Sequence, residues 1–75
     1  MSRTGDTAPP KGKRYSQYFR SAGNMLQRGR LAEAIGVLER GAALAREQGD
    51  ADFAALFEAE AAERRAELEE RGHRG

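Results

Sequence analysis

The chain has 75 residues, no cysteine, one histidine and a net charge of +1. Such a length allows one domain. A cysteine-free chain whose lone His73 stands between Gly72 and Arg74 excludes a disulfide staple and an ordinary structural zinc site.

Residues 1–13 hold Gly5, Pro9, Pro10 and Gly12 among polar residues and end in the basic run "KGKR". That composition predicts a disordered basic arm, because it cannot bury enough apolar surface to order itself. Its opening "MSRTGDTAPP" has no apolar core segment and predicts no secretory signal. No run approaches the roughly 18 apolar residues of a membrane span. A cytoplasmic location is the expectation.

The first helix is expected to begin near Tyr15–Ser16, with Ser16 as N-cap. Tyr15, Tyr18, Phe19, Ala22, Met25 and Leu26 recur at three- and four-residue spacing and form one face. Gly29 is placed to end it, since glycine accepts the left-handed backbone conformation. The second helix is expected over about Leu31–Gln48, with a stripe of Leu31, Ala34, Ile35, Leu38, Ala42 and Ala45. Glu33 in its first turn and Arg46 in its last suit the helix dipole. Gly49 closes it, and Asp50 is the expected N-cap of a third helix over about Ala51–Arg71. Phe53, Leu56 and Phe57 anchor that helix, after which the stripe thins to Ala61 and Leu68. Glu60–Arg64 and Glu67–Arg71 stand at i,i+4 ion-pair spacing, and Gly72 is the expected stop.

Alternation of period two is absent, so no strands are expected. Two very short connections make neighbouring helices antiparallel. The predicted architecture is all-α: a helical hairpin with a third helix packed on it, over residues 14–71, between the arm at 1–13 and a flexible tail at 72–75. Gly36 and Gly41 interrupt the second helix. Ala34 and Gly41, seven residues apart, share a face that Ala22 can sit opposite, so small side chains would let the first two helices nest. Gly36 lies off that face.

This pattern resembles the tetratricopeptide repeat. Tyr18, Ala22 and Met25 match the large–small–large set of its first helix. Gly29, Leu31, Ala34, Leu38 and Gly41 match its turn and second helix, and "GRLAEAI" looks like the start of that second helix. "LAREQGD" looks like the longer-linker repeats of bacterial regulators. The closing proline of the family is absent, and one hairpin plus a helix stands where three or more copies are usual. A lone repeat implies association with other chains or with itself. "RRAEL" at 64–68 also looks like the end of the third helix of the microtubule-interacting-and-trafficking domain.

Catalysis is not expected. Ser2, Ser16 and Ser21 have no positioned base, and the acids of the third helix interleave with arginines as a solvated face does. No glycine-rich phosphate loop occurs. Glu60, Glu63 and Glu67 share a face but lack the paired Glu-x-x-His motifs of a di-iron site. No cofactor, metal or small-molecule substrate is expected. The expected function is non-catalytic protein–protein interaction, as a small adaptor or assembly subunit. The resemblance implies a partner-binding face of Ser16, Phe19, Gly23, Leu26 and Gln27, taking a peptide or a partner helix. The family's carboxylate-gripping pair is replaced here by Phe19 and Gly23. Self-association through Phe19, Leu26 or the third helix is a further expectation, given the small core.

The alternative is a nucleic-acid or anionic-surface binding protein acting through Lys11, Lys13, Arg14 and Arg20. Charge is divided along the chain. Residues 1–30 carry seven Lys/Arg against Asp6, and residues 31–75 carry six Arg against eleven acids. A basic arm beside an acidic body can attract an anion, fold back on itself or pair head to tail.

Overall fold

The computed structural model describes the backbone of residues 11–74 and the side chains of residues 14–72. Three helices follow one another: α1 over Lys11–Gln27, α2 over Leu31–Glu47 and α3 over Ala51–Arg74. They form an all-helical three-helix bundle, with no strand among the described residues. The predicted arm lies outside the described residues over 1–10.

α1 begins at Lys11, four residues ahead of the expected start, so Ser16 lies inside the helix and is not its N-cap. That start places Lys11, Lys13 and Arg14 in the first turn, which holds no acid to complement the dipole. α2 keeps Glu33 in its first turn and Arg46 in its last.

The two connections are the same turn made twice. Gly29 and Gly49 adopt φ of 76° and 78°. The Gly29 N–H donates to the Leu26 carbonyl at 3.0 Å and the Arg30 N–H to the Met25 carbonyl at 2.8 Å. Twenty residues later the Gly49 N–H donates to Arg46 at 3.1 Å and the Asp50 N–H to Ala45 at 2.8 Å. These 5→2 and 6→1 bonds make a Schellman closure, which needs a left-handed residue and so favours glycine. Gly72 does not repeat it, and α3 runs past the expected stop to Arg74.

α2 is the central element and packs on both neighbours. Its buried side chains, Leu31, Ala34, Ile35, Val37, Leu38, Ala42 and Ala45, match the predicted stripe with Val37 added. Tyr15 and Ala22 come in from α1, and Ala54, Phe57 and Ala61 from α3. α1 and α3 meet mainly through rings. Phe57 is fully buried, lies flat on Phe19 with centroids 4.2 Å apart, and receives Tyr15 and Tyr18 edge-on at 5.9 and 6.0 Å.

Gly41 serves this cluster rather than the α1–α2 contact expected of it. A Cβ there would stand 2.6 Å from the Phe57 ring, so it is an aromatic side chain of α3 that requires the glycine. A Cβ on Gly36 would meet nothing within 4 Å. Leu56, an expected anchor, is instead 56% exposed. Its neighbours in the helical stripe, Phe53 and Phe57, point to α1 and the core, and Leu56 falls beyond their edge.

A candidate interaction face

The five residues of the expected partner-binding face stand along one edge of α1. Ser16, Phe19, Gly23 and Leu26 are half-buried and Gln27 is exposed. The 3.6-residue repeat puts them on one side, away from Tyr18 and Met25. Phe19 belongs to the core as well, through its stack on Phe57. Gly23 stands between Phe19 and Leu26 with nothing within 4 Å of where its Cβ would be. The edge is therefore an apolar strip with a gap in its middle.

α3 runs beside this strip and carries charge along it. Arg64 is half-buried, and its guanidinium lies 3.3 Å from Glu60, 3.1 Å from Glu63 and 3.1 Å from Glu67. The Glu63 hydrogen bond, with the charges of Glu67 and Glu60, raises the Arg64 pKa above the ordinary arginine value against the pull of burial. The sequence showed the Glu60–Arg64 pair. Glu67, expected to pair with Arg71, binds the same guanidinium. On the opposite edge α3 is pinned to α2 by Arg46–Glu58 and Arg65–Glu39, and Ala42 and Ala61 lie between these two pairs.

Of the residues expected to bind anions, the side chains of Arg14 and Arg20 are described. Arg14 donates to the Gln48 side chain at the end of α2, and Arg20 is exposed beside Gln17, Ser21 and Asn24. Only the backbone of Lys11 and Lys13 is described.

One polar contact in the core has no signal in the sequence. The Tyr15 hydroxyl, fully buried, donates to the carboxylate of Asp50. Asp50 precedes Ala51 and was expected only as a cap. This bond, together with burial and the nearby carboxylate charge, raises the Tyr15 pKa above its ordinary 10.0, and Arg14 opposes the shift. The contact fastens the start of α1 to the α2–α3 turn.

Among the described residues no group of three or more His, Cys, Asp or Glu is placed to hold a metal ion. No helix among them is long and apolar enough to cross a membrane. No family model matches the chain, and neither curated proteins nor solved structures give a match.

Proposed function

We propose that the chain is a non-catalytic protein–protein interaction module of the cytoplasm, a small adaptor or assembly subunit built on a tetratricopeptide-like hairpin. The observation that carries this reading is the strip Phe19–Gly23–Leu26. Two half-buried apolar side chains flank a glycine with open space above it. A partner helix or extended peptide can lay an apolar side chain into such a gap. The repeated glycine turn and the close seat of Phe57 on Gly41 support the resemblance to the repeat family. Neither feature is confined to that family.

Gly23 supplies the test. Gly23→Gln fills the gap, and it meets no neighbour at Cβ while gaining helix propensity. Its melting temperature is expected to equal or exceed that of the parent. Proteins captured from native lysate by the parent, and by Gly23→Ala, are expected to be lost from Gly23→Gln. If the filled variant captures the same proteins, the strip is not the binding face.

The second reading is an anion-binding one. It is favoured by the absence of any acidic residue in Lys11–Gln27, which holds Lys11, Lys13, Arg14 and Arg20. A phosphate-driven complex weakens steeply with salt through counterion release, whereas an apolar strip responds little. Replacing Lys11, Lys13 and Arg14 by Ala separates the two, since it abolishes only the first.

A further inference from the structure

The two outer faces of the bundle differ in shape and in charge. Between α1 and α2 lies a groove of about 290 Å³ lined by Gln17, Tyr18, Ser21, Met25, Val37 and Arg40. Its floor is apolar, from Tyr18, Met25 and Val37, and Arg40 stands on its rim. The α1 wall carries no acidic residue, and Glu33 at the start of α2 is paired with Arg30. No α3 residue lines this groove.

The outer edge of α3 has the opposite character. Leu56 is the most exposed large apolar side chain described, at 56%. Asp52, Glu60 and Glu63 stand four residues before, four after and seven after it, on the same side of the helix. Arg64 neutralises only part of that charge. The groove and this ridge lie on different sides of one chain and so cannot meet within it.

We propose that copies of this chain associate head to tail, the acidic Leu56 ridge of one seated in the α1–α2 groove of the next. Charge complementarity selects this occupant. An isologous contact of ridge on ridge would set Asp52, Glu60 and Glu63 against their own copies, and like charges facing each other are costly. Groove on groove would set Arg40 against Arg40 and leave Leu56 uncovered. A head-to-tail contact joins unlike surfaces, so it builds rings or open stacks rather than a closed dimer. Stacked helical repeats bury their end faces in the same manner. The association rests on the assembly-subunit reading above and names a second copy of the chain as the partner. Its test uses Leu56 and Arg40 rather than Gly23, so the two proposals fail separately.

Sedimentation equilibrium on the full chain tests it. The average mass is expected to rise with concentration above the 8.2 kDa of one chain and to fall as salt is added. Leu56→Arg and Arg40→Glu are each expected to weaken association by about tenfold or more. Their melts should stay those of the parent, because both side chains are exposed. Mixed in equal amounts, the variants are expected to regain association and stop at two chains. In that pair the intact ridge of Arg40→Glu meets the intact groove of Leu56→Arg. A mass of one chain at every parent concentration overturns the proposal. So does a mixture that stays at the mass of its separate components, which is the signature of an isologous contact or of none.

Discussion

A methyl group on Gly41 would stand 2.6 Å from the edge of Phe57, and that ring has no room to retreat. Phe19 backs it at 4.2 Å and Tyr15 and Tyr18 hold its edges. Gly41→Ala gains about 1 kcal/mol of helix propensity but overpacks a filled core, which costs about 1–3 kcal/mol. The expected outcome is a net loss of stability in chemical denaturation. Gly36→Ala brings the same propensity gain into open space, so it is expected to stabilise by about 1 kcal/mol. The two substitutions, five residues apart on one helix, should move the midpoint in opposite directions. A second residue-scale expectation concerns Tyr15. Its hydroxyl titrates above 10.0 in the folded chain because the neutral form donates to buried Asp50. A raised folded value favours the protonated native state. The contribution is therefore complete below about pH 10 and is lost as pH rises through the folded value. Stability of the parent should fall over that alkaline window, and Tyr15→Phe should lack this fall. In a Tyr18→Phe background, absorbance of the remaining phenolate reports Tyr15 alone, and a midpoint at or below 10 would contradict the buried bond.

At the scale of helices, the order and number of elements follow from features visible in the sequence. Gly29 and Gly49 each follow a run of apolar residues at helical spacing, and each has enough chain beyond it to turn back and pack. That is why both closures could be placed, whereas Gly72 stands inside α3 without a left-handed backbone. The start of α1 was missed for a different reason. Polarity argues for an arm, yet lysine and arginine are good helix formers, and Lys11, Lys13 and Arg14 lie in α1. Leu56 was misread because Phe53, Leu56 and Phe57 all fit one stripe, and only packing against α1 decides which edge of that stripe is covered. The strip on α1 was legible as helical spacing, but the open space at Gly23 depends on where α3 lies. The register of α2 against α3 was not legible at all. Arg46–Glu58 and Arg65–Glu39 define it, the two pairs standing seven residues apart along each helix. These side chains are about half exposed, so each pair contributes no more than about 0.2–1 kcal/mol. Arg65→Glu alone sets two carboxylates across the helix pair and is expected to cost about that much. Adding Glu39→Arg should recover most of it. A double mutant as unstable as the sum of its parts would show that the two residues do not face each other in solution.

For the molecule as a whole, one side chain joins all three helices. Phe57 comes from α3, rests on the bare backbone of α2 at Gly41, and is ringed by Tyr15, Tyr18 and Phe19 from α1. The rest of the cluster around it is small, Ala22, Ala34, Ala42, Ala45, Ala54 and Ala61 with Val37 and Leu38, and of the other buried side chains only Leu31 and Ile35 of α2 are large. Alanine contacts bring helices close but bury little area each, so the transfer of apolar surface from water is concentrated in the aromatic cluster. A chain of this size holds about 3–5 kcal/mol in total, and truncating a buried phenylalanine to alanine typically costs about 3–5 kcal/mol. The two quantities are comparable, so Phe57→Ala is expected to leave the isolated chain largely unfolded at room temperature, read as loss of helical circular dichroism and of a cooperative melt. Phe57→Leu keeps part of the volume and is expected to retain a lower, broader transition, with α1 released ahead of the α2–α3 pair because its contacts with α3 are mainly aromatic. Leu56→Ala, one residue away, should leave the melt of the monomer nearly unchanged, since its side chain faces solvent. A Phe57→Ala variant that melts as cooperatively as the parent would mean that the alanine seams alone hold the bundle, and that the ring is not what binds α1 to the rest.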